Sequence, residues 1–163
     1  MISRKVILPV LILLFTASSA FCQTEVLKGV VNSLAFYKQQ KDLKYLSRAK
    51  KTVDSLIATR SDSTNLRKNV YKAVVYSSIV YTDSLNVLKQ PADFFAKTAA
   101  LVNNLLTKKK IYKYQPEMEF AKGCLANTYM RRGFGQMRRS DYTNGVISFQ
   151  KADSDVASYK QLN

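Results

Sequence analysis

The 163-residue chain contains no histidine and is poor in acidic residues (11), glycine (5), proline (3) and cysteine (2). Without histidine, neither a Ser-His-Asp triad nor a usual zinc site can be assembled, because the commonest general base and metal ligand is missing. The carboxylates are scattered. Glu117 and Glu119 stand two apart, as do Asp153 and Asp155, so on a helix each pair diverges rather than converges. Cys124 has no histidine partner and no second cysteine near it, which argues against a thiolate nucleophile or metal site and for a small core hydrophobe. Gly133-Phe134-Gly135 follows no strand and lacks the remaining glycine of a phosphate loop; it reads as a bend or helix terminator. These absences predict a protein that is not an enzyme, with no catalytic residue, no cofactor and no metal.

Long apolar runs are also missing, with one exception at the start. Arg4 and Lys5 precede an apolar stretch from Val6 to Phe15, followed by the small residues of Thr16-Ala17-Ser18-Ser19-Ala20. That order is a secretory signal, and its apolar run is well short of the roughly 20 residues of a permanent span. Cleavage after Cys22 leaves Gln23 as the new terminus; cleavage after Ala20 is the alternative. Ser19-Ala20-Phe21-Cys22 also resembles a lipoprotein box acylated at Cys22, although bulky Phe21 stands where that pattern wants a small residue. The expected division is a signal peptide over 1–22 and one domain over 23–163. The expected location is the periplasm, the outer membrane or the medium.

Lysine and arginine number 26 and the net charge is +15. In a cytosolic protein that excess would point to nucleic acid. An exported chain meets lipid head groups, acidic polysaccharide and acidic proteins instead, so no nucleic acid is expected as partner.

Apolar recurrence at three and four residues marks helices throughout. A first covers about 25–40, with Val26, Leu27, Val30, Leu34 and Tyr37; a second covers about 42–59, with Leu46, Val53 and Leu56. Ser61-Asp62-Ser63-Thr64 breaks and caps. A third runs over about 64–88 and a fourth from Pro91 to about Thr107. A basic linker, Lys108 to Gln115, leads to Pro116, which opens a fifth helix ending at Gly133 or near Arg139. A sixth carries Tyr142, Val146, Phe149 and Ala152. No useful length alternates with period two, so no sheet is expected.

Val53-Asp-Ser-Leu56-Ile57 and Val102-Asn-Asn-Leu105-Leu106 share a pattern, and Leu34, Ala73 and Ala126 each precede a tyrosine (Tyr37, Tyr76, Tyr129) by three. Such internal repetition indicates stacked two-helix units, with a tyrosine filling the gap between hairpins. Leu125-Ala126-Asn127-Thr128-Tyr129, Gly133, Asp141-Tyr142, Gly145, Phe149 and Lys151-Ala152 follow the order of apolar, small and aromatic positions in tetratricopeptide repeats, and Leu34, Tyr37, Leu43, Leu46 and Val53 match more loosely. The chain therefore resembles the tetratricopeptide repeat family. It departs from the pattern in the Phe134–Ser140 insertion and in Gly145, where alanine is usual. The resemblance implies an all-α fold: a short α-solenoid of three hairpins, at about 25–59, 64–107 and 116–155.

It also implies a groove lined by the first helix of each hairpin. Carried over residue by residue, partner-binding positions are Lys28, Lys38, Arg67, Asn127 and Arg131, with Val31, Val70, Ser77 and Met130 beside them. The expected function is a protein-interaction scaffold of a bacterial envelope. Its groove would take an acidic or carboxylate-terminated protein or peptide segment, with the cations supplying charge and Asn127 a backbone hydrogen bond. The alternative is peripheral attachment to anionic lipid or polysaccharide through Lys108, Lys109, Lys110 and Lys113, interleaved with Tyr112 and Tyr114, and through Arg131-Arg132 and Arg138-Arg139. A solvated linker and ordinary cations near a helix C-terminus explain the same residues without a ligand.

Overall fold

Local hydrogen bonds fix where each helix begins and ends. A computed structural model describes residues 27–58 and 64–160, the side chains of 156–160 excepted. The expected signal peptide over 1–22, Val26 and Ser61-Asp62-Ser63 lie outside the described residues. α1, over 27–40, stops where Lys41 turns left-handed (φ 57°) and its N–H bonds to the Tyr37 carbonyl at 2.8 Å. Asp42 then caps α2 (Leu43–Leu56), its carboxylate accepting the Lys44 N–H at 2.9 Å. So short a turn forces α1 and α2 into an antiparallel hairpin. α2 buries Leu46, Ala49, Val53 and Leu56, one stripe at helical spacing.

α3 (Leu66–Thr82) is capped by Asn65, whose side chain accepts the Lys68 N–H at 3.1 Å. The expected helix over 64–88 is therefore too long at its C-terminus. Asp83 ends it by accepting the Val87 and Leu88 N–H groups at 2.7 and 2.8 Å, which folds the following residues into a loop. Asn86 (φ 54°) continues that loop, its side-chain oxygen accepting the Gln90 N–H at 2.6 Å. α4 runs from Phe94 to Leu106, so Pro91 lies in the turn before the helix rather than in its first turn; the Phe94 N–H bonds to its carbonyl at 2.9 Å.

The expected linker is partly structured. A 3₁₀ turn over Ile111–Tyr114 buries Ile111 and leads straight into α5 (Gln115–Arg138), with Pro116 in its first turn. α5 does not stop at Gly133. It continues to Arg138 and hands over to α6 (Tyr142–Lys160) through left-handed Ser140 (φ 61°), and the Asp141 N–H reaches the Gln136 carbonyl at 3.0 Å. Gly133 is buried mid-helix because α6 crosses there: a Cβ on it would sit 2.7 Å from the Phe149 ring, and one on Gly145 would sit 3.5 Å from the Gly133 carbonyl oxygen. Tyr142 and Val146, expected on the core face of α6, are exposed, and Ala152 is buried.

All regular structure among the described residues is helical. α3 is central, packing against α2, α4 and α5, while α5 packs against α3, α4 and α6. One apolar cluster joins Leu27 and Val30 of α1 to Leu46 and Val53 of α2, Val75 and Ile79 of α3, and Phe94. A second joins Val70 and Ala73 to Val102 and Leu105 of α4 and to Met118, Ala121 and Leu125 of α5. The three tyrosines of the repeated pattern tie neighbouring elements together. Tyr37 donates to Thr82 Oγ1 at 3.1 Å, Tyr76 donates to Asp54 at 2.6 Å and packs on Phe94, and Tyr129 meets Phe95 edge-on at 4.8 Å.

Candidate functional site

Because α3 lies between α1 and α5, the outward faces of these three helices enclose a groove of about 900 Å³. Its walls are mainly apolar and aromatic: Val31 and Leu34 from α1, Tyr71 and Tyr81 from α3, Phe120 from α5. Lys38 and Lys41 supply its positive charge and Glu117 its carboxylate. Lys38 Nζ lies 5.5 Å from the centre of the Phe120 ring, so this cation spans from α1 to α5. Lys41 Nζ lies 5.9 Å from the Tyr37 ring. Cys124 also lines the groove; burial pushes its thiol up to about 12, so it is a neutral group there.

Of the positions the resemblance implied, Lys38 and Val31 line this groove. Lys28 and Arg67 are exposed on α1 and α3 away from its walls, and Asn127 is exposed with its amide already donating to the Gly123 carbonyl at 2.8 Å. Val70 and Ser77 are fully buried, because α3 has packed neighbours on most of its circumference and presents only a narrow outer arc. The groove is accordingly more apolar than the basic channel expected. Residue reasoning passed over Lys41, Tyr71, Tyr81 and Phe120. A signal was present for three of these: aromatics on helices otherwise lined with small and aliphatic residues.

Arg131 belongs to a second cavity, of about 580 Å³, between the loop after α3 and the C-terminal half of α5. Its Nη1 donates to the Tyr81 carbonyl at 3.0 Å, satisfying one of the open carbonyls at the end of α3, and its guanidinium lies 5.2 Å from the Tyr81 ring. Between α5 and α6, Lys122 is 2% exposed and its amine has no hydrogen-bond partner among the described residues. Burial lowers its pKa, an effect Asp155 opposes. No group of three metal-ligating side chains occurs among the described residues, and none of their helices is long and apolar enough to cross a membrane. No family model, curated protein or solved structure matches the chain.

Proposed function

We propose that this is an exported helical-repeat protein of the tetratricopeptide type, working without catalysis as an interaction scaffold in a bacterial envelope, and that it holds a protein or peptide segment in the α1–α3–α5 groove. The observation that carries this reading is the groove itself, with aromatic walls suited to apolar side chains and two lysines suited to a carboxylate. The packing order supports it as well, since α3 lies against α2, α4 and α5 as the first helix of a middle repeat would. The occupant is a segment carrying apolar side chains and at least one acidic residue. A second copy of this chain fits poorly, because two molecules of net charge +13, the +15 of the whole sequence less Arg4 and Lys5, repel. Export rests on the order of residues 1–22.

Within this reading Lys38 is the cation that meets the partner, and Phe120 and Tyr81 are its apolar anchors. Lys28, Arg67 and Asn127 act at most as outlying contacts on the same helices. A second reading keeps one specific observation: Lys108, Lys109, Lys110 and Lys113 are exposed, and Tyr112 is 65% exposed beside them, as attachment to anionic lipid or polysaccharide requires.

Site-specific photocrosslinking in the native envelope separates the two. A crosslinker at Phe120 should capture a discrete protein that survives a high-salt wash, and one at Tyr112 should not. Replacing Phe120 with Ala should weaken that partner about tenfold, as expected for a buried aromatic anchor. If only the Tyr112 position yields adducts, and these are lipid or polysaccharide lost as salt rises, the scaffold reading fails and the peripheral one replaces it.

A further inference from the structure

The second cavity is built around three arginines. Arg131 and Arg132 line it from α5 and Arg139 from the residue that follows the helix, and Arg138 is left out. None of the three forms an ion pair among the described residues. The carboxylate in the lining, Asp83, has both oxygens occupied by the Val87 and Leu88 N–H groups. Three guanidinium groups against one carboxylate leave a formal excess of two positive charges.

The frame holding these charges is preformed. Arg132 lies 3.8 Å from the centre of the Phe95 ring, and Arg131 is fixed by the Tyr81 carbonyl and ring. Stacked guanidinium groups keep most of their N–H donors for an anion and lose little freedom when one arrives. The opposite wall is the loop stitched by the side chains of Asp83 and Asn86, with Gln90 bonded back to the Leu88 carbonyl at 2.9 Å. Ser84 offers an exposed hydroxyl, and Ile79, Pro91 and Phe94 give an apolar flank.

We infer that this arginine-lined cavity between the α3–α4 loop and α5 is a binding site for a phosphate-type dianion. The excess of two charges matches a doubly charged oxyanion rather than a single carboxylate. Planar guanidinium forks favour the several oxygens of phosphate. The cavity adjoins the α1–α3–α5 groove through Tyr81, which lines the groove and holds Arg131, but phosphate binding does not require that groove to have a partner.

Calorimetric titration of the full-length chain with inorganic phosphate, phenyl phosphate and acetate at constant ionic strength tests this. Both phosphates should bind saturably at one site, with acetate at least about tenfold weaker. Tighter phenyl phosphate identifies a phosphate ester lying on the apolar flank; equal affinities identify the free ion. The double substitution Arg131→Gln, Arg139→Gln should weaken phosphate by about tenfold or more. The equal charge change Lys108→Gln, Lys109→Gln, on the exposed linker, should alter it less than about twofold. Ser84→Glu, which leaves every arginine in place, lowers the excess from two positive charges to one and should weaken phosphate by about tenfold or more, so a folding defect in the arginine variant does not decide the result. Absence of saturable phosphate binding, acetate binding as tight as phosphate, or equal losses in the linker variant would each overturn the assignment.

Discussion

Gly133 and Gly123 occupy the same helix and differ only in what surrounds them. A methyl group on Gly133 would overlap the Phe149 ring at 2.7 Å, and that ring is itself held edge-on to Phe134 at 5.1 Å. Overpacking of this kind costs about 1–3 kcal/mol, against about 1 kcal/mol gained from helix propensity. Gly133→Ala should therefore destabilise by about 1 kcal/mol in a denaturant titration. Gly123, with nothing within 4 Å of an added Cβ, should give the opposite sign, about 1 kcal/mol of stabilisation in Gly123→Ala. Equal effects at the two sites would mean that the Phe149 ring moves aside freely. Cys124 offers a second test at this scale. Its folded pKa is raised above the ordinary 9.0 to about 12 by burial. Its contribution to stability is thus complete below about pH 9 and is lost as pH rises towards 12. At pH 8 the thiol should react with an aromatic disulfide about a thousandfold more slowly than in denaturant, in proportion to its smaller thiolate fraction. A fast reaction in the folded protein would show that the groove admits the reagent and water to this sulfur.

The helix boundaries are governed by single side chains, and this is where reading the sequence met its limit. Recurrence at three and four residues located the six α-helices but not the 3₁₀ turn over Ile111–Tyr114, because a helix is legible where it buries a stripe such as Leu46, Ala49, Val53 and Leu56. It overran α3 because Leu85 and Leu88 prolong the apolar pattern by coincidence, although both lie in the loop, Leu85 exposed and Leu88 half-buried against the first cluster. What stops the helix is the carboxylate of Asp83 reaching two amides ahead, a contact that periodicity does not encode. The sequence leaves the end of α5 open between Gly133 and Arg139 for a related reason, since a glycine needed for close helix crossing and one needed for a bend look alike along the chain. The cavity lining was the least legible. Lys38 lies on it and Arg67 does not, a distinction that depends on how far α3 is wrapped by its neighbours. Two consequences belong to these boundaries. Asp83→Ala removes both acceptors and should cost about 1–3 kcal/mol, read as a lower melting temperature. Ser140→Gly places a residue without Cβ where φ is 61° and should stabilise by about 1 kcal/mol. A neutral result would mean that the turn into α6 relaxes by itself.

For the molecule as a whole, charge and connectivity matter more than any one contact. With 26 basic residues against 11 acidic, much of the surface repels itself. Pairs such as Lys44–Asp42 and Lys97–Asp93 are solvent-exposed and offset little of it. Raising sodium chloride from about 10 to 300 mM should therefore increase the melting temperature by several degrees, as screening removes the repulsion. An unchanged or falling value would show that the cations are locally compensated. The central position of α3 has its own consequence. Its buried face shares side chains with both apolar clusters, so exposing the amides of Val75 or Ile79 to solvent requires both clusters to come apart. Those amides should be the last to exchange with deuterium, at a rate set by the complete unfolding of the chain, while amides near the outer ends of α2 and α6 exchange through smaller local openings.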